Sequence, residues 1–302
     1  ASVSNEALVA NPVADVSQAL QGKLAGVSVV SQDGRPGASV SIRVRGGGSI
    51  SQSNDPLFIV DGFPVSSISD IPADQIVSID VLKDASSTAI YGARGANGVI
   101  LVTTKGADKD RVSVSYIGYY RSKSAAKTPE SMSAQDYVND TWGYGTALGM
   151  GDQMASYFGL GEKYGNHYSE YANMDSHNWT DDMLRTASAQ NHNVTINGGS
   201  EKTKISFSVN YLNDDGIKIK SGYERFSTNL KLKQELAKGL SFELDARYVS
   251  TNVEGKDEAR SGRGSLLSSA YQYRPIDTPL GNGDDALFQM GSKNIEVGAN
   301  PV

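Results

Sequence analysis

From residue 106 onward, apolar and polar side chains alternate along the chain with a period of two. Five segments show this pattern, at 111–116, 191–197, 204–211, 225–233 and 240–248. Because neighbouring side chains on a strand point to opposite faces, the pattern predicts five strands, each with one apolar and one polar face. Segments of about ten residues with this alternation are typical of a membrane β-barrel or of a β-sandwich.

The first hundred residues predict shorter elements. Val16, Ala19, Leu20 and Leu24 fall on one face of a helix, with Gly26 just beyond its end as a stop. Residues 85–91 read as one or two helical turns, and strand-like runs lie at 27–30, 40–44, 57–60, 76–82 and 99–103. This mixture predicts a compact α+β module.

The connections between the five alternating segments differ in length. Those at 198–203 and 235–239 are short turns, whereas the link over 123–190 is long and contains a predicted capped helix at 133–142. Short turns on one side and long loops on the other are typical of outer-membrane barrels. One end of the segments also collects aromatic residues, as an interfacial girdle would: Tyr119, Tyr120, Tyr211, Tyr223, Phe226 and Tyr248. A further helix is expected at 264–273.

Five short motifs occur in order within the first hundred residues. They are LQGK at 20–23, IRVRG at 42–46, IVDG at 59–62, DASSTAIYG at 84–92 and NGVI at 97–100. Together they resemble the plug domain of SusC-like TonB-dependent outer-membrane transporters. The resemblance implies an α+β plug domain at 1–105, followed at 106–302 by the start of a transmembrane antiparallel β-barrel with long extracellular loops at 123–190 and 252–302.

The barrel of this family has about 22 strands, of which five are expected here. An open five-stranded sheet would leave unpaired edge groups in hydrocarbon. We therefore expect the chain to be part of a longer protein, with an export signal and a TonB-contacting segment upstream of it.

Composition and charge narrow the chemistry further. The chain has no cysteine, a net charge of -6 and no basic stripe of the kind that binds nucleic acid. The chain contains no run of about 18 apolar residues, so no membrane-spanning helix is predicted. The sequence has three histidines, and none has the spacing of a metal ligand or of a catalytic triad: His167, His177 and His192. It also lacks the nucleophile elbow of a hydrolase. We therefore expect that the protein is not an enzyme and binds no cofactor. The adjacent Asp284 and Asp285 are interpreted as part of a solvated loop, with a calcium site as the lesser alternative.

Three arginines are candidates for anchoring the plug. Arg43 and Arg45 alternate with valine and isoleucine on a predicted strand, and Arg94 lies between two glycines. Inside a barrel these guanidinium groups would face a polar wall, where carboxylates such as Glu243 or Asp245 are expected partners. On an ordinary soluble domain they would be a solvated edge.

Two plug loops are candidates for ligand contact. By resemblance, the loops at 47–54 and 63–70 face the cell exterior, and their side chains suit a neutral, polyhydroxylated ligand: Ser49, Gln52, Asn54, Phe63 and Ser66. The neighbouring Asp61-Gly62 is interpreted as a turn.

The resemblance implies active import across the bacterial outer membrane. A SusD-like surface lipoprotein would capture an oligosaccharide, and TonB with its inner-membrane motor would pull on the plug. Peptide import by the same mechanism is the alternative. A passive receptor or adhesin barrel and a secreted glycan-binding β-sandwich are the rivals from other classes.

Overall fold

The computed structural model describes residues 2–9, 13, 15–31, 34–44, 54–106, 112–255, 267, 270–271, 273–276 and 279–281. The chain divides into two compact units. The first contains Ala1–Lys123, Ala187–Gly216 and Lys220–Glu254, and the second contains Ser124–Thr186, Ile217–Ile219 and Gly255–Val302. The predicted helix at 264–273 lies mostly outside the described residues, and Asp284 and Asp285 lie outside them entirely.

The first unit begins with an N-terminal module of short strands and helices. Its strands are β1 (Ser2–Ser4), β2 (Val27–Ser31), β3 (Val40–Val44), β4 (Leu57–Val60), β5 (Phe63–Val65), β6 (Ile76–Leu82) and β7 (Val99–Thr104). Its helices are α1 (Asn5–Val9), α2 (Val16–Ala19) and α3 (Ala85–Thr88), with 3-10 turns at Ala73–Gln75 and Ala89–Gly95. One sheet has the order β1-β6-β7-β4-β5, and β2 pairs with β3 in a second. The predicted α+β module is confirmed.

The module is held by an aliphatic core in which its sheet and α2 meet. Ile76, Ile79 and Ile100 are fully buried there, and Leu20 is 1% exposed. The α2 helix begins where Asp15 accepts a 2.7 Å hydrogen bond from the backbone N–H of Ser17, which satisfies a donor at the helix N-terminus. The apolar helix face predicted from the sequence is therefore the face that packs on the core.

Five long strands follow the module, one for each alternating segment. They are β8 (Ser113–Lys123), β9 (Ala187–Gly199), β10 (Thr203–Asp215), β11 (Gly222–Ala237) and β12 (Leu240–Glu254). They form one antiparallel sheet in chain order. Residues 200–202 and 238–239 join strands at the short-turn end of this sheet, and residues 124–186 join β8 to β9 at the opposite, long-connection end. The five predicted strands are confirmed.

The polar face of this sheet is the buried one. Asn193, Ser208 and Asn210 are 3%, 4% and 0% exposed, whereas Val194 and Phe207 on the other face are each 39% exposed. A soluble β-sandwich buries its apolar faces against each other. The structure has the reverse arrangement, so the sandwich alternative is wrong.

The aromatic residues near the long-connection end divide between the two faces. Tyr119 and Tyr223 lie on the polar face, opposite Asn191 and Asp214 in the strand register, so their assignment to an outer girdle is corrected. The other four lie on the apolar face: Tyr120, Tyr211, Phe226 and Tyr248. The prediction placed each aromatic only by its distance from the end of the strand. It did not consider that alternate positions along a strand lie on opposite faces.

The second unit contains the helices α4 (Ala134–Ala147), α5 (Gly151–Phe158) and α6 (Trp179–Met183). Ser133 caps α4 as predicted, accepting a 3.1 Å bond from the N–H of Asp136, and the helix continues past the expected end. Tyr157, Phe158 and Tyr171 are buried and meet edge to face, so these loop aromatics hold the unit together. Within the described parts of the chain, no helix is long and apolar enough to cross a membrane.

Candidate functional site

The N-terminal module lies directly against the polar face of the five-stranded sheet. The contact consists of hydrogen bonds and ion pairs spread over β9, β10 and β11, from near the short-turn end towards the long-connection end. Each of these strands contributes side chains of one parity, which the alternation of the sequence places on a single face.

The contact nearest the short-turn end is centred on Asp61, in the turn between β4 and β5. Lys231 of β11 donates to Asp61 Oδ2 at 2.7 Å, and Thr104 donates its backbone N–H at 2.9 Å and its hydroxyl at 2.7 Å. Burial alone would raise the pKa of the Asp61 carboxyl, but the bonds from Lys231 and Thr104 outweigh it and hold the pKa below its ordinary value. The turn residue is thus a charged anchor.

The middle contact uses the 3-10 turn that precedes β6. Asn193 of β9 donates its amide to Asp74, and Gln75 donates to Ser208 of β10 at 2.8 Å. Asp74 is 8% exposed, and this burial raises the pKa of its carboxyl, an effect that the Asn193 bond only partly offsets. At Asp74 burial therefore outweighs the hydrogen bond, whereas at Asp61 the bonds outweigh burial.

Nearer the long-connection end, the polar face carries an arginine that reaches the module. Arg225 of β11 is 3% exposed and donates to the backbone carbonyl of Ser69 at 2.6 Å. Within the sheet, Lys123 and Arg121 of β8 both pair with the buried carboxylate of Asp214. These two cations of the sheet share one buried carboxylate.

Two large cavities are found where the described residues of the module face the sheet. The larger of the two, about 990 Å³, is near the long-connection end and is lined by module residues 34–40, 55–58, 65–67 and 69–70 together with Arg121, Lys123 and Tyr223. The smaller, about 720 Å³, is near the short-turn end, where Phe63 and Asp61 face a row of lysines and carboxylates on β10, β11 and β12. Cavities of this size accommodate small ligands.

Known proteins share both the sequence and this arrangement. Residues 1–99 match the TonB-dependent receptor plug domain. TonB-dependent receptor P26 of Formosa agariphila is 39% identical over 256 residues, covering 82% of this chain and 24% of that protein. TonB-dependent receptor SusC of Bacteroides thetaiotaomicron is 34% identical over 286 residues, covering 90% of this chain and 26% of that protein. The chain belongs to the TonB-dependent receptors.

The likeness to solved structures extends through the sheet. The RagAB peptide importer in its closed-closed state matches with a TM-score of 0.74 and 26% identity, over 89% of this chain and 32% of that one. The N-terminal module is therefore a plug, and the five strands are the start of an outer-membrane barrel with the polar face as its inner wall. The chain spans about a quarter of the length of the curated relatives it matches.

The plug–wall contacts described above involve other residues than the arginines predicted from the sequence, whose anchoring role stays a prediction. Arg43 and Arg94 are exposed, and Arg45 lies outside the described residues. The expected partners pair within the wall, since Glu243 contacts Lys233 and Asp245 lies 3.9 Å from Lys231. The contacts that do form place the buried carboxylates on the plug and the cations on the barrel.

The predicted ligand residues occupy different places. Asn54 directly precedes residues 55–58, which line the larger cavity, and Ser66 lines that cavity itself. Phe63 is 68% exposed and lines the smaller cavity. Ser49 and Gln52 lie outside the described residues.

Sequence reasoning missed Asp61, Asp74 and Lys231 as interface residues. A signal was present for Lys231, since it lies on the polar face of an alternating segment and so points to the lumen of a barrel. The Asp61-Gly62 pair carried no such signal, because the same two residues occur in any tight turn.

Proposed function

We propose that the full-length protein is a TonB-dependent importer of the bacterial outer membrane, with the plug at 1–105 and the barrel from 106 onward. The carrying observation is the nature of the plug–wall contact. A few hydrogen bonds and ion pairs, such as Lys231–Asp61 at 2.7 Å, hold the plug on a polar wall. Polar contacts of this kind exchange with water at low cost, so a plug held by them yields to a pulling force.

The proposed partners follow from the relatives. An importer of this class would be driven by TonB and its inner-membrane motor and would work with a SusD-like surface lipoprotein. The similarity to SusC, at 34% identity, supports this assignment. A passive receptor or adhesin would need no releasable plug, so the plug–wall contact favours import over this rival.

We propose an oligosaccharide as the substrate class. The larger cavity offers the hydroxyl groups of Ser66, Ser67 and Ser69, and charged side chains of both signs line it: Asp15, Arg35, Asp55, Asp70, Arg121, Lys123 and Asp214. A lining that combines hydroxyl groups with nearly balanced charges suits a neutral polyhydroxylated ligand. Peptide import is the second candidate, because RagAB, a peptide importer, has the same fold over this region.

Ligand contact is proposed for Ser66, which lines this cavity, for Asn54, which precedes lining residues 55–58, and, from the sequence alone, for Ser49 and Gln52. Phe63 was predicted with them, and its place in the smaller cavity makes it a useful comparison. Replacing Asn54 and Ser66 together by alanine should weaken ligand binding, while Phe63→Ala should not. Equal losses in both variants would contradict the division between the two cavities.

Uptake in cells tests the proposal. The full-length receptor, expressed with its lipoprotein partner, should take up a labelled oligosaccharide, and removal of TonB or collapse of the proton gradient should abolish this uptake. Unlabelled oligosaccharides and oligopeptides are added as competitors in separate assays, and the class that reduces the uptake identifies the substrate. Uptake that persists without TonB would overturn active import and favour a passive barrel.

A further inference from the structure

One lysine of the barrel wall lies between a carboxylate of the plug and a carboxylate of the wall. Lys231 Nζ is 2.7 Å from Asp61 Oδ2 of the plug and 3.9 Å from Asp245 Oδ2 of β12. The strand register places Lys231 directly opposite Asp245. The lysine therefore has one counterion on each side of the plug–wall boundary.

The two counterions are held differently. Asp61 accepts two further bonds from Thr104, at 2.9 and 2.7 Å, and its side chain is 19% exposed. Asp245 is 30% exposed, and its distance to Lys231 is too long for a hydrogen bond. With the plug in place, the lysine thus belongs mainly to Asp61.

We propose that Lys231 exchanges counterions when the plug leaves the wall, passing from Asp61 to Asp245. This inference rests on the proposed function, because it describes how an importer would release its plug. A half-buried ammonium left without a counterion would oppose release. A side-chain movement of about 1 Å brings Lys231 to hydrogen-bond distance of Asp245, so the lysine stays paired throughout.

Asp245 is therefore a positioning residue that makes release easier. Its carboxylate stabilises Lys231 weakly while the plug is in place and strongly after the plug has left. If Asp245 receives the lysine on release, removing its charge should hold the plug more firmly. If Asp245 instead helped to hold the plug in place, removing its charge should loosen the plug.

Accessibility of the wall beneath the plug tests the exchange. Ser206 lies opposite Lys231 and is 7% exposed, so a maleimide should reach Ser206→Cys only when the plug has moved. The purified full-length receptor carrying this reporter is labelled in graded urea, without TonB or ligand. Asp61→Asn should speed labelling, and Asp245→Asn should slow it by about two- to five-fold, the range of a partly exposed ion pair.

Three further variants separate the exchange from a general change in charge. Glu243→Gln, on the same face of β12 but paired with the exposed Lys233, should leave labelling unchanged. Asp245→Glu should label like the parent protein. In a Lys231→Gln background, Asp245→Asn should have no effect, because the two residues act through one contact.

Labelling that is unchanged or faster in Asp245→Asn would overturn the exchange. Because the assay involves no transport, its outcome is independent of the import test. Slowed labelling in a receptor that takes up no ligand would leave the exchange standing and overturn the importer. Normal import with labelling unchanged in Asp245→Asn would leave the importer standing and overturn the exchange.

Discussion

At the scale of single residues, two plug carboxyl groups that contact the same wall have pKa values shifted in opposite directions. Asp61 is held ionised by Lys231 and Thr104, whereas the buried Asp74 has a raised pKa and accepts a bond from the uncharged amide of Asn193. The Asp61 contact therefore weakens as pH falls, whereas burial disfavours the ionised form of Asp74 as pH rises through its raised pKa.

The pH dependence of plug release checks the role of Asp61. With the plug in place, the bonds from Lys231 and Thr104 hold the pKa of Asp61 below its ordinary value of 3.8. Release of the plug removes Lys231, whereas the bonds from Thr104 lie within the plug and remain, so the pKa of Asp61 rises on release. As the pH falls into the acid range, the released state therefore takes up a proton first and gains stability. Labelling of Ser206→Cys with an acid-tolerant thiol reagent should rise in that acid range. Asp61→Asn should remove this rise, and an unchanged acid profile in that variant would contradict the assignment.

A glycine of the plug provides a stability test. Gly98 has φ +92°, and a Cβ there would lie 2.8 Å from Val44, which is 1% exposed. Gly98→Ala should therefore destabilise the plug by about 1 to 3 kcal/mol, from backbone strain and overpacking. Gly62 is the matched control, because it has the same φ but nothing within 4 Å of the place where a Cβ would lie. Hydrogen exchange of the β4 amides in the full-length receptor should show a larger loss of protection in Gly98→Ala than in Gly62→Ala, and equal losses would rule out the clash with Val44.

At the scale of elements, the strands were predictable and the docking was not. Alternation alone placed β8 to β12, because a period of two is a local property of the chain. The plug strands were found from short apolar runs, apart from β1 and β5, which have three residues each and are too short to show a period. The plug–wall pairs join residues up to 170 positions apart, as Asp61 and Lys231 do, and no local pattern encodes them.

The direction of the sheet faces gives the next prediction. Val194 and Phe207 should contact lipid, whereas Thr195 and Ser206 should face the plug, because side chains alternate between the two faces of a strand. A one-residue slip in the register would invert this assignment for every side chain. Spin labels at these four positions in the full-length receptor report the environment through accessibility to oxygen and to a water-soluble quencher. Lipid contact at Thr195 and Ser206 would show that the face assignment is inverted.

The arginine anchors remain a prediction that the wall contacts allow us to sharpen. Replacing Arg43 and Arg45 by alanine should leave the receptor folded but leaky to small antibiotics without TonB, if these side chains anchor the plug. Asp61→Asn serves as the comparison, because its contact with Lys231 is seen directly. A leak in Asp61→Asn alone would assign anchoring to the Asp61 contact and not to the arginines.

At the scale of the whole molecule, transport requires the plug to be a part that moves. The inner wall is polar, the outer face is apolar, and the plug covers the wall through contacts that water can replace. In the proposed importer, this arrangement closes the barrel at rest and lets it open under force. The relatives are receptors about three and a half times as long as this chain.

Tethering the plug to the wall tests this requirement most directly. Gln75 and Ser208 are joined by a 2.8 Å hydrogen bond, so Gln75→Cys and Ser208→Cys can be bridged by a short, reducible dithiol cross-linker in the full-length receptor. We expect the bridged receptor to bind ligand normally and to lose TonB-dependent uptake, which reduction of the cross-link should restore. Undiminished uptake with the bridge fully formed would contradict a plug that must leave this wall for transport.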